Sequence, residues 1–289
     1  YGALGHDDNG LDHSSPAKIM SLSRVRSQQV AAGEFHSLVL AADGSVYSFG
    51  CGGGGRLGHG DDTDQYKPLK ISELDGIDIF QVSAGGTHSL AVGAKEGELY
   101  SWGRRSYGRL GLGPDRPWYN ANQDTPKLVP LPRGVQIRHA SAGGCHSLAV
   151  ATDGALYSFG CGGNGRLGLG DSADRWEPTL VSALEGTLVR YASAGLAHSV
   201  VHTEAGGVLT FGSNHMGCSG HAGIESTLTP RAVAALSGQE VEEVATGASH
   251  TVVRLASGEM VAFGSNEVGQ LGSGDGAIES FEPVLVALP

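Results

Sequence analysis

Five histidines are the first residues in this chain that could do chemistry. His36, His88, His146, His198 and His250 each close a Gly-x-x-His segment, and imidazole is both the commonest metal ligand and the commonest general base. Their spacing answers the question they raise. The leading glycines Gly33, Gly85, Gly143, Gly195 and Gly247 recur about every 52 residues, so each imidazole occupies the same place in a separate repeat. Rings placed one per repeat do not gather within the few ångströms that a metal requires. Each is expected to be a buried ring tying a loop by hydrogen bonds, and no metal is expected. Two glycine tracts, Gly50 to Gly55 and Gly160 to Gly165, have the composition of phosphate cradles. That mechanism needs a helix N-terminus behind the glycines, whereas here a Leu-Gly corner and another strand follow. No G-x-S-x-G elbow supplies a nucleophile. Neither catalytic residues nor a cofactor is expected.

The elements that carry these residues repeat with them. In the first copy, two β-prone runs, His36 to Ala41 and Ser45 to Phe49, flank Asp43-Gly44, which predicts an antiparallel hairpin with a type I′ turn. Corresponding turns fall at Glu96-Gly97, Asp153-Gly154, Gly206-Gly207 and Ser257-Gly258. The runs are almost continuously apolar, as in Leu148-Ala149-Val150, which predicts sheets covered on both faces. A glycine-rich loop closing on Leu-Gly follows each hairpin, at Leu57-Gly58, Leu110-Gly111, Leu167-Gly168 and Leu271-Gly272. Next come a proline (Pro68, Pro126, Pro178, Pro230 or Pro283) and a short outer strand. With the strand that leads into the next glycine, each copy supplies four short strands, one propeller blade. The expectation is a single all-β domain over 1–289, with blade cores near 33–50, 85–103, 143–160, 195–212 and 247–264. It is a propeller or propeller arc of about five full repeats plus a partial one at the N-terminus.

The combination Ala-Gly-x-x-His-Ser, an aromatic-Gly step and a Leu-Gly loop, as from Gly103 to Gly111, resembles the repeat of the regulator of chromosome condensation family over essentially the whole chain. The resemblance implies a β-propeller, usually of seven blades. Function is less constrained, because the family includes Ran exchange factors, ubiquitin ligases, photoreceptors and scaffolds. Light-sensing members rely on tryptophan clusters in a Gly-Trp-Arg-His-Thr repeat, and this chain has only Trp102, Trp118 and Trp176 and no such repeat. Exchange factors carry an inserted β-wedge, and the notable insertion here, Pro114 to Asn120, is short for one. Ligase activity requires a separate catalytic domain.

Composition narrows the partners. A formal charge of −11 argues against broad phosphate-backbone binding, which depends on clustered Lys and Arg, so no direct nucleic-acid contact is expected. The chain lacks an apolar run of about 18 residues, and no membrane contact is expected. Cys51, Cys145, Cys161 and Cys218 form no C-x-x-C pair, and Cys51 and Cys161 are repeat-equivalent, which should keep them far apart. An intracellular location follows as the expectation, the cytoplasm first and the nucleus second. The opening residues Tyr1 to Gly5 do not resemble a signal peptide, and the sequence is expected to be part of a longer chain.

Residues that break the repeat carry the most functional information. Arg56, Arg109 and Arg166 precede Leu-Gly in three consecutive blades, Arg104 and Arg105 add charge to the middle one, and the insertion brings Trp118 and Tyr119 beside them. Arginine with aromatic residues is the composition of protein-binding hot spots. These seven residues are the candidate partner surface of a non-catalytic interaction scaffold, its ligand an acidic segment of another protein. Nucleotide exchange on a small GTPase is the alternative. A competing reading has the arginines merely bonding loop carbonyls. A recurring aromatic, Tyr66, Trp176 and Phe281, with Leu228 in the fourth copy, is expected to pack against a neighbouring blade.

Overall fold

The computed structural model describes residues 1–8, 10–114 and 122–287. They form five four-stranded sheets, each built from strands consecutive in sequence and antiparallel throughout. Blade 1 runs from an inner strand, Ser27–Ala32, through His36–Ala41 and Val46–Gly50 to an outer strand, Gln65–Lys70. The inner strands of blades 2 to 5 are Ile79–Ala84, Ile137–Ala142, Val189–Ala194 and Val241–Thr246. Among the described residues the helical turns are single 3-10 turns, so the all-β expectation holds. The partial repeat is present too: Gly2 lies against Tyr66, and Gly5 against Phe49, as later Leu-Gly loops lie on their following blades.

The second strands of blades 1 to 4 are buried on both faces, wholly so in His88–Gly93, His146–Ala151 and His198–Thr203, as the apolar runs predict, while that of blade 5, His250–Leu255, leaves one face partly exposed. Alternate residues point into different clefts. Leu148 and Val150 join Phe211 in the core between blades 3 and 4, while Ala149 and Ala151 join Phe159 in the core between blades 2 and 3. The outer strands carry the prolines, where a missing N–H leaves no rung unpaired.

The hairpin turns differ from the type I′ expectation. Gly44 is left-handed at φ 82°, but Asp43 is not. Gly44 N–H donates to Ala41 O at 3.0 Å, and Ala41 N–H donates to Ser45 O at 2.8 Å, the pattern of a type I turn closed by a left-handed glycine in a bulge. Asp43 Oδ1 accepts from the Ser45 N–H at 3.0 Å, which holds Asp43 in the right-handed part of the turn. Asp153 repeats the bond to Ala155 N–H.

Inner strands converge on a central channel of about 1290 Å³. Their free edges would be exposed pairing templates, and side chains of the preceding blade cap them. Gln29 bonds both the N–H and the carbonyl of Val82. Gln81 does the same to Ala140, Ser83 Oγ accepts from Ala142 N–H, and Ser141 Oγ accepts from Ala194 N–H.

Candidate interaction face

Strand direction divides the molecule into two faces. The Gly-x-x-His turns and the Leu-Gly loops share one end of every sheet, and the Asp-Gly hairpins lie at the other. The five repeat histidines sit beneath the first face, and the structure places four of them, His36, His88, His146 and His198, as ties between blades, while His250 is half-buried. Ser89 Oγ donates to Arg56 O at 2.8 Å. Its proton is thereby used, so the His36 ring, 2.8 Å away at Nε2, must be the donor to Ser89. The same relay runs from His88 to Ser147 to Arg109 O, from His146 to Ser199 to Arg166 O, and from His198 to Thr251 to Cys218 O. Nδ1 of each of these four rings lacks a polar partner, because it lies against the backbone of the glycine that opens its own segment. Burial then holds the rings neutral. It pushes His36 down to about 3 and His198 down to about 4, and it drives His88 and His146 well below the ordinary imidazole value.

The arginines before Leu-Gly belong to the same joints. Arg56 Nε donates to Gly53 O at 2.8 Å, and its Nη1 donates to Gly86 O of the next blade at 3.1 Å. Arg109 reaches Ser106 O, Thr87 Oγ1 and Gly144 O, and Arg166 reaches Gly163 O and Leu196 O. Arg56 is 8% and Arg109 4% exposed, and Arg166 is half-buried. An exposed arc of three arginines is therefore not what these positions form. They fasten their own loop to the following blade, because a guanidinium offers the several donors that a ring of loop carbonyls needs.

Charge on the surface of this face comes from the neighbours. Arg104 is exposed, and Arg105 is half-buried with Nη2 3.5 Å from Gly113 O. Trp118 and Tyr119 lie outside the described residues. Between Arg105 and Arg109 stands Tyr107, a residue the repeat comparison passed over. It is 51% exposed and left-handed at φ 62°, with the Arg109 guanidinium 5.7 Å from its ring centre. A bulky side chain at positive φ costs of order 1 kcal/mol. The position is glycine in blade 1, Gly54, and asparagine in blade 3, Asn164, the two residues that tolerate it, while blade 4 places Met216 there at φ 58°. That contrast was the signal available in the sequence. Phe35, 41% exposed and edge-on to Tyr1, and Leu196, 49% exposed, add apolar area on the same face. Farther round, Asn164, Met216, Ile224 and Phe281 line a groove of about 780 Å³. Among the described residues no group of three His, Cys, Asp or Glu could hold a metal ion.

A propeller built from Gly-x-x-His hairpins and Leu-Gly interblade corners is the architecture of the RCC1-like repeat. The family model described as RCC1-like domain matches residues 1–288, and the chain belongs to that family. The ultraviolet-B receptor UVR8 of Arabidopsis thaliana is 36% identical over 289 residues, which cover 100% of this chain and 64% of that protein. The probable E3 ubiquitin-protein ligase HERC3 of Homo sapiens is 38% identical over 299 residues, covering 86% of this chain and 28% of that protein. The chain thus spans less than two thirds of the length of either relative. Among solved structures, Prp20p from Saccharomyces cerevisiae superposes with a TM-score of 0.86 at 22% identity, covering 99% of this chain and 70% of that one. Human WBSCR16 does so at 0.80 and 23%, covering 91% and 68%. Those two likenesses establish the fold alone.

Proposed function

We propose that this propeller is a non-catalytic protein-interaction platform whose working surface is the Leu-Gly face of blades 1 to 3. Arg104, Arg105 and Tyr107 form its centre, with Arg166 at the edge. The observation that carries the reading is Tyr107: a large aromatic, 51% exposed and kept in an unfavourable backbone conformation, in the same loop as the exposed Arg104. Arginines and an aromatic on an otherwise acidic molecule suit an acidic segment of a partner protein. Membership of a family of propellers supports the interaction role. Arg56 and Arg109 serve it indirectly, by fixing the loops that present the surface.

The test is quantitative affinity capture from the native source with wild-type protein and an Arg104→Glu/Arg105→Glu variant. The wild type is expected to retain partners in a salt-dependent way and the variant to lose them; identical captures would count against the surface. Prp20p is a structure described together with its binding to Gsp1p and histones, so nucleotide exchange on a small GTPase is the second reading. A release assay across a panel of labelled small GTPases distinguishes it. Acceleration beyond about a hundredfold, equivalent to ~2.7 kcal/mol of barrier, would replace the platform reading.

A further inference from the structure

Blade 3 differs from the other four at the last rung of its central hairpin. His146 pairs with Gly160, so the next rung outward sets Cys145 opposite Cys161, with Cys161 N–H donating to Cys145 O at 2.9 Å. The same rung holds Phe35 and Cys51 in blade 1, Thr87 and Arg104 in blade 2, Ala197 and Ser213 in blade 4, and Ser249 and Ser265 in blade 5, each closed by the equivalent bond. Only in blade 3 are both members cysteine. The repeat register compared Cys161 with Cys51 and so gave no view of Cys145 on the strand beside it.

Residues directly opposed across an antiparallel rung have Cα atoms about 5 Å apart, inside the range a disulfide spans. Both thiols are free and half-exposed on the Leu-Gly face. Arg166 Nη1 donates to Cys145 Sγ at 2.9 Å, and a guanidinium stabilises a thiolate or an anionic sulfur oxide beside it. From these placements we infer that Cys145 and Cys161 are a reversible dithiol, closed to a disulfide by peroxide-class oxidants.

The order of events follows from the surroundings. Cys145, whose thiol burial pushes up to about 11 against the nearby arginines, is the resolving sulfur, and Cys161 is the sulfur that meets the oxidant. The Cys161 thiolate attacks one peroxide oxygen, the O–O bond breaks, and the departing hydroxide takes the proton the thiol gave up, leaving a sulfenic acid and water. Cys145 sulfur then attacks the sulfenic sulfur and the S–O bond breaks. The departing hydroxide collects the Cys145 proton as a second water. Two thiols are oxidised to one disulfide and one hydrogen peroxide is reduced to two waters. Closure takes from Arg166 a thiol partner at the joint where it also holds Leu196 O of blade 4, so the redox state is felt on the interaction face. This inference stands independently of the platform reading.

The experiment treats the folded protein with hydrogen peroxide, blocks remaining thiols in denaturant, and maps peptides by mass spectrometry. A Cys145–Cys161 linked peptide that disappears on dithiothreitol treatment is expected, with Cys51 and Cys218 still alkylatable. In Cys145→Ser, the sulfenic acid should persist and be trapped by dimedone at Cys161. Oxidation that reaches Cys218 as fast as the pair, or that gives only sulfinic acid or intermolecular dimers, would overturn the inference. So would a Cys145→Ser protein without dimedone label at Cys161, whatever its stability.

Discussion

The interblade histidines make the fold acid-sensitive, and the sign follows from their neutrality. An unfolded imidazole titrates near 6.5, whereas folding lowers His36 to about 3, His198 to about 4, and His88 and His146 well below 6.5. Above pH 6.5 both states are neutral and stability is undiminished. As pH falls below that, the unfolded chain takes up protons that the folded chain refuses, and stability declines until the folded values are reached. Each ring contributes about 1.4 kcal/mol per pH unit. Four together contribute roughly 5.5 kcal/mol per unit, against a total stability of about 5–15 kcal/mol. Denaturant melts should therefore show steep destabilisation between pH 6 and 4; a midpoint constant down to pH 4 would remove the ties from the account. A fifth ring, His202, is buried at 1% exposure with neither nitrogen partnered. It occupies the repeat position of Leu40, Val92 and Val150, all core residues. Replacing His202 with Val removes a buried unsatisfied group and should stabilise by about 1–2 kcal/mol, read as a rise in thermal midpoint. A fall would mean the ring has a partner in solution.

At the scale of elements, the corner between blades carries the packing energy. The Leu167-Gly168 corner of blade 3 lies on Phe211 of blade 4, so closely that a Cβ on Gly168 would come within 3.0 Å of the ring, and Gly168 is left-handed at φ 71°. Gly168→Ala should cost about 2 kcal/mol or more through strain and displacement of that ring. Phe211→Ala should cost about 3–5 kcal/mol through the cavity it leaves. Chemical denaturation of both variants checks the ranking, and a near-neutral Phe211→Ala would show that the corner is not where the blades adhere. Much of this level was legible in the sequence. Hairpins, Leu-Gly loops and two-faced burial follow from periodicity, because each repeat must satisfy the same local geometry. Turn type was not legible, since Asp-Gly serves type I′ and bulged type I turns alike, and Asp43 chooses through its bond to Ser45 N–H. The partners of the histidines and arginines were also hidden. Ser89 follows His88 in sequence, yet it serves His36 of the blade before, and a single-repeat comparison cannot see across that joint.

For the whole molecule, the two faces have unequal roles. The Asp-Gly end varies by a turn one residue longer in blade 2, where Gly93 N–H reaches Glu98 O, whereas the Leu-Gly end departs from symmetry at Tyr107, Arg104, Phe35, Leu196 and the Cys145–Cys161 rung. Of the candidate arginines, Arg56 and Arg109 are buried in the joints and Arg104 is exposed, because a place repeated in three loops serves the joints and the residues that differ between blades are left on the surface. Substituting Tyr107 separates fold from function most sharply, because glycine relieves the left-handed strain while deleting the exposed ring. The decisive measurement pairs the thermal midpoint of Tyr107→Gly with its partner affinity per folded molecule, using the partner recovered by wild-type protein. The platform account predicts an unchanged or higher midpoint together with affinity reduced about tenfold or more, ~1.4 kcal/mol. A lowered midpoint with full affinity would make Tyr107 part of the scaffold and contradict the account.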